Sequence, residues 1–258
     1  MTKNSTIKFL LSVFACMAFV FVVQTGHAIA ATISVAPSAV DQTTNGNCSM
    51  YEAAEAASTD TAVDNCTAGS GSDTINLPDG TYVLDSNFAF TLTDGVLNGT
   101  STGGTIIDAN GSGIGVGSGS VTVTIQNLTI ADAYRALDIS GQDADITMDN
   151  VVIDGGKNGP YIQSGQNTIF TMTNSIIRNL SSADSGDFAM RLSDMAAVNL
   201  DGVVVYGNTY TAEVGIGIVE VRGVDISAQD VQVYDNQASG GSIFTMAGRT
   251  VLAIDIVV

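Results

Sequence analysis

The chain has no tryptophan, one histidine, three prolines, three cysteines and only eight basic residues in 258 positions. Each scarcity excludes something. The histidine, His27, falls in an N-terminal stretch that reads as removable, so the remainder holds no His-based triad, no imidazole general base and no ordinary zinc site. Lys3 and Lys8 fall in the same stretch, which leaves Lys157 with Arg135, Arg178, Arg191, Arg222 and Arg249 as the cations of the rest. Against them stand 26 acidic residues, all beyond residue 30, and the formal net charge is -18. A surface this acidic repels phosphate backbones and anionic lipid, so nucleic-acid binding is excluded. It suits a calcium-rich or saline exterior, which makes calcium the one cofactor worth considering, although Asp in loops is also ordinary turn chemistry.

Residues 1–30 have the order of a secretory signal. Lys3 and Lys8 precede an almost continuous apolar run over 9–23; Gln24, Thr25 and Gly26 break it, and Ala28-Ile29-Ala30 supplies the small residues of a cleavage site. The run is too short and wrongly flanked for a stable transmembrane helix, so the expected product is secreted or displayed outside the cell, cut after Ala30. A retained anchor is the competing reading. Cys48 and Cys66 remain in that product. An isolated pair in an exported chain reads as one disulfide closing a loop of about 18 residues, worth roughly 3 kcal/mol by chain entropy. Two free thiols are the alternative.

What the chain has in abundance is repetition. VTIQNLTI ending at Ile130, ITMDNVVI at Ile153, FTMTNSII at Ile177, VNLDGVVV at Val205 and ISAQDVQV at Val233 align at intervals of about 23 to 28 residues, the range of one solenoid coil. Apolar residues alternate within each unit and fall into columns: Val123, Ile146, Phe170, Val198 and Ile226; Ile125, Met148, Met172, Leu200 and Ala228; then the five unit ends. Period-two alternation predicts strands with one buried face. A second strand per unit (ALDIS, PYIQS, AMRLS, IVEVR, IFTMA) follows a break rich in Gly, Asn and Asp. With no helical-period stretch between strands, the spacing predicts an all-β, right-handed parallel β-helix over 74–258, the hand following from the parallel crossover preference. Asn127, Asn150 and Asn174, then Gly202 and Asp230, recur at one place per unit and mark a corner, where Asn tolerates left-handed backbone and can hydrogen-bond along the stack. An asparagine-based site is the other reading.

The first coil needs a cover. Ser49-Met50-Tyr51-Glu52 begins a capping box, and Ala53, Ala54, Glu55, Ala56 and Ala57 are strong helix formers, so 31–73 reads as a cap with a short helix bracketed by the two cysteines. The motifs Asn45-Gly46-Asn47-Cys48-Ser49-Met50-Tyr51-Glu52-Ala53, Asp64-Asn65-Cys66-Thr67-Ala68-Gly69 and 73–82 (DTINLPDGTY) together resemble the CSLREA domain, found at the N-termini of secreted bacterial right-handed β-helix proteins. The resemblance spans about residues 32–84 and implies a helix-capped parallel β-helix at the cell exterior. The family usually carries Leu-Arg where this chain has Met50-Tyr51, so whatever that arginine does is absent. The resemblance brings no catalytic residues with it.

Two kinds of function compete. A carbohydrate-active enzyme, a polysaccharide lyase or glycoside hydrolase, would have to work with carboxylates, arginine and oxygen-bound calcium. Asp143, Asp145 and Asp149 form the densest acidic cluster, with Asp145 and Asp149 pointing outward from one strand, and Arg191 and Asp138 hold similar places in their units. A solvated surface ladder predicts the same residues. A non-catalytic scaffold, adhesive or glycan- or partner-binding, instead uses the outward columns. Thr124, Thr147 and Thr171, continued by Asn199 and Ser227, make a regular hydroxyl array that could meet ice, a glycan or a protein, although Thr also simply suits exposed strands. Thr129, Val152, Ile176, Val204 and Gln232 make an outward column with three apolar β-branched members that suggests a covered face. Tyr206 and Tyr234 lie beside it, placed to stack on sugars or on each other. Residues 250–258 begin a coil without completing it, and the expectation is end-to-end self-association or a longer natural form. Of these readings, the secreted, non-catalytic scaffold is preferred.

Overall fold

The computed structural model of the chain describes residues 29–86, 90–117, 119–140, 143–163, 167–212, 217–254 and 257. The expected secretory segment therefore lies outside the described residues except for its last two. The rest is a parallel β-solenoid of about seven turns. Every strand pair in it is parallel, and neighbouring rungs join in one large sheet that runs from Thr32–Ser34 through Thr74–Asn76 and Gly95–Asn98 to Ser242–Ile254.

The anticipated columns are the core. Val123, Ile146, Phe170, Val198 and Ile226 pair in register from rung to rung and are all at most 2% exposed. The Ile125-to-Ala228 column and the Ile130-to-Val233 column stack beside them, equally buried. Each such side chain contributes about 1.5–3 kcal/mol by leaving water, so the columns are the main stabilising feature of the coil.

The coil departs from the two strands per unit that the spacing predicts: it has three faces. In the middle rungs the backbone runs as one long strand around the corners, as in Val121–Ser140 and Ala144–Gln163. The first corner is the Asn column, where Asn127, Asn150, Asn174, Gly202 and Asp230 take φ of 58°, 52°, 50°, 63° and 50°. A second corner, invisible as a break in the apolar pattern, follows about five residues later at Asp132, Gly155, Asn179, Gly207 and Asp235, also left-handed. The segment LTI and its equivalents are thus a short face of their own. At the first corner the amides form part of a ladder: Asn127 donates to the Asn98 Oδ1 (3.0 Å) and Asn150 to the Asn127 Oδ1 (2.9 Å). The ladder then changes partner, because Asn174 donates to Asp149 (2.9 Å).

A helix, Met50–Thr59, covers the start of the stack. Ser49 and Glu52 form the reciprocal capping box, and the helix ends on left-handed Asp60. Met50, Ala53 and Ala56 are fully buried, and the helix packs against Thr32–Ser34, Thr74–Asn76 and Phe90–Leu92. Cys48 and Cys66 are joined, with Cα atoms 4.6 Å apart. Tyr51 meets Phe90 edge to face, with ring centroids 5.7 Å apart. The cap is more than a cover, since Thr32–Ser34 is itself a strand of the stack.

Candidate functional site

Parallel stacking in register turns single outward residues into columns about 4.8 Å apart from rung to rung, and each face of the coil carries different chemistry. On the first face Thr124, Thr147, Thr171, Asn199 and Ser227 stand in one register column, partly or fully exposed. The array expected from the sequence is therefore assembled. Asp145 and Asp149 flank it in the neighbouring columns. Asp145 and Asp143 line a shallow depression of about 270 Å³ with Thr122 and Asn167. Asp149 already accepts from Thr173 Oγ1 (2.6 Å) and Asn174 Nδ2 (2.9 Å). Among the described residues no group of three or more His, Cys, Asp or Glu is placed to hold a metal ion.

The short second face carries the apolar column Ile106, Thr129, Val152, Ile176, Val204 and Gln232, half-buried through its middle. Beside it runs a ladder of a different kind. Asp154 receives Arg178 Nη2 (2.8 Å) and Nε (3.1 Å), Arg178 Nη1 reaches the Tyr206 hydroxyl (3.2 Å), and Tyr206 stacks on Tyr234 with ring centroids 5.3 Å apart. Burial pushes the Asp154 pKa up, but hydrogen bonds from Arg178 and Asn179 and the Arg178 charge outweigh it and hold the carboxyl below its ordinary value. Hydrogen bonding to Tyr206 and Asp154 raises the Arg178 pKa. Of the two arrangements open to the tyrosines, packing on each other is the one found; one face of Tyr206 is occupied by Tyr234.

The third face gathers most of the cations among the described residues. Its outward column reads Thr91, Gly115, Asp138, Tyr161, Arg191, Glu220 and Thr245. Arg135 Cζ lies over the Tyr161 ring, 3.8 Å from its centroid, while its Nη1 pairs with Asp138 at 3.0 Å. Arg191 Nη1 donates to the Tyr161 hydroxyl (3.0 Å), lies 5.0 Å from the Phe188 ring, and approaches Glu220 at 3.4 Å. Arg222 binds the other oxygen of Glu220 at 2.7 Å. Lys157 pairs with Asp184 at 2.6 Å, and this hydrogen bond and charge raise its pKa. Beneath lies a satisfied polar layer. Buried Asn158 donates to Asp187 (2.9 Å) and accepts from Phe188 N (2.8 Å), and the Tyr210 hydroxyl donates to the Lys157 carbonyl (2.6 Å). Burial drives the Tyr210 pKa far up, so it stays protonated.

This geometry separates the residues considered for catalysis. Asp145 and Asp149 share the first face, whereas Arg191 is on the third, so the three do not form one site. Asp138 and Arg191 do share a column, with Tyr161 between them. Tyr134, Arg135, Tyr161, Phe188 and Glu220 are not singled out from the sequence, because the loops that bring them onto one face differ in length from coil to coil. No known protein family, curated protein or solved structure matches the chain, so the likeness to the CSLREA domain rests on the residues quoted for it. Among the described residues no helix is long and apolar enough to cross a membrane.

Proposed function

We propose that the chain is an exported, non-catalytic β-helical scaffold whose flat outward faces bind a glycan or a surface protein. The observation that carries this reading is the pairing of cations on those faces. Arg135, Lys157, Arg178, Arg191 and Arg222 each hold a carboxylate; the Lys157, Arg178 and Arg191 pairs join neighbouring coils, whereas Arg135 and Arg222 pair within their own strands. A proton-abstracting Arg or Lys needs a lowered pKa; those of Lys157 and Arg178 are raised. Regular columns of like residues on a rigid coil supply repeated contacts of the kind a polymer or a flat protein surface can match. The disulfide supports export, since such bonds persist in oxidising compartments. In the same reading copies associate through Ser242–Ile254, where Val251 and Leu252 are 45% and 57% exposed.

The test is expression of the whole chain with its own N-terminus, recovery from outside the cell, and display on a glycan array with and without calcium. Retention of a glycan without shortening it is expected. Release of unsaturated or reducing ends from an acidic polysaccharide would instead make it a lyase or hydrolase.

A further inference from the structure

The third face has a gap in its column. Where later rungs present Asp138, Tyr161, Arg191 and Glu220, the strand Ile114–Val116 presents Gly115. The missing side chain leaves a shallow depression of about 330 Å³ bordered by Ser112, Gly113, Tyr134, Arg135 and Asp138. That is the lower end of the size range for small-molecule sites.

Gly115 is the informative residue. Glycine inside a strand weakens it through backbone entropy and lost packing, so it usually marks a positive φ, a bulge, or the close approach of another backbone or a ligand. The first and third of these can be checked against the molecule itself. Gly115 is not among the positive-φ glycines, and a Cβ there would meet only Thr91 Oγ1 at 3.4 Å and the Phe90 carbonyl at 3.8 Å, ordinary contacts. Gly113 is different, since its Cβ would fall 1.8 Å from the Arg135 carbonyl oxygen. The fold therefore demands glycine at 113 and leaves 115 free to carry a side chain. Its register with Phe90–Leu92 also runs without a bulge, so the depression over Gly115 is open to an approaching ligand.

The walls define that ligand. Tyr134 is 45% exposed and offers an amphipathic ring. The Asp138 carboxylate is 43% exposed and stands in register beside Gly115. It is held in place by Arg135, itself pinned on Tyr161, so the polar wall is preorganised and loses little freedom on binding. The nearby cations offer no net charge to an anion, because Arg135 is matched by Asp138 and Lys157 by Asp184. The overall charge of -18 repels anions as well. An aromatic wall, a carboxylate with spare acceptor capacity, a guanidinium and no surplus positive charge suit a neutral, hydroxyl-rich ring.

We infer that the depression over Gly115 is a subsite for one neutral hexose unit, its apolar side against Tyr134 and two of its hydroxyls donating to Asp138. This rests on the glycan arm of the function proposed above. The probes are the methyl glycosides of glucose, galactose and mannose, with methyl glucuronide as the charged comparison, titrated into the intact chain by NMR. One neutral glycoside is expected to saturate and to shift the amides of 113–115 and 134–138. Gly115→Gln, which fills the gap, and Tyr134→Ala, at a position the core does not use, should each weaken binding at least tenfold, while Glu55→Gln, exposed on the capping helix, leaves it unchanged. Preference for the glucuronide, no saturation by any neutral glycoside, or equal binding by Gly115→Gln and wild type overturns the subsite. If the array still retains a glycan in the last case, the scaffold reading stands and only the subsite is lost; a chain that retains no glycan at all loses both.

Discussion

At the scale of single residues, stacking makes every outward side chain answer to the residues one rung away. Arg178 serves Asp154 on one side and Tyr206 on the other, so its replacement disturbs three positions along the ladder. The Asp154 carboxyl has its pKa held below the ordinary 3.8. A group depressed in the folded state stabilises fully above its unfolded pKa, and that contribution is lost as pH falls through the lower folded value. Asp154→Asn should therefore cost about 0.5–1 kcal/mol at pH 7, the range for a partly exposed, screened pair. Urea midpoints of variant and wild type should differ at neutral pH and converge only once the pH has fallen below the depressed folded pKa of Asp154, where both lack the charge. A gap that persists unchanged into acid would mean that Asp154 acts through packing alone.

At the scale of elements, the same register separates core from edge. Phe170 and Val251 belong to one inward column, yet Phe170 is fully buried and Val251 is 45% exposed, because no rung follows it among the described residues. Phe170→Ala should cost about 3–5 kcal/mol and Val251→Ala no more than about 0.5 kcal/mol, read from denaturant unfolding. Much of this was legible in the sequence, since alternation around Ile146, Met148 and Ile153 states both the inward face and the period. The third face was not. Arg191 follows its rung partner Tyr161 by 30 residues, while on the first face of the same two rungs Thr171 follows Thr147 by 24, so the offset between faces varies with the intervening loops. Apolar periodicity carries no record of that offset. The second corner was hidden for a related reason: Asp132 and Gly155 turn the chain without interrupting the inward pattern. The cap was legible because capping boxes and cysteine pairs are local signals. Replacing both Cys48 and Cys66 with Ser should lower stability by about 2–4 kcal/mol, since the closed loop of 18 residues is then free in the unfolded chain. Calorimetry with and without reductant should give the same loss in wild type under reduction and no further change in the double variant.

At the scale of the whole molecule, the two ends of the stack differ. The first rungs are covered by the helix Met50–Thr59, which buries Met50, Ala53 and Ala56 against them. The last long strand, Ser242–Ile254, is paired along one side with 217–229 and exposes Val251 and Leu252, with Val257 beyond it at 59%. A bare parallel edge is a template for another strand, and an apolar rim adds a driving force for covering it. The helix occupies the other end, so a second copy cannot simply continue the coil head to tail. Two bare ends meeting each other form a closed two-fold contact, and a closed contact stops at two. Wherever nothing further covers Ser242–Ile254, the chain is therefore expected to form a dimer, with no longer species at high concentration. Light scattering over a hundredfold range of concentration distinguishes the cases: mass should rise to twice that of one chain and level off. Val251→Lys with Leu252→Lys, which places charge on the rim at two exposed positions, should return the chain to a monomer. A mass that climbs without limit would mean that the capped end also accepts a strand, and a wild-type monomer throughout would mean that the edge is protected by something other than a second copy.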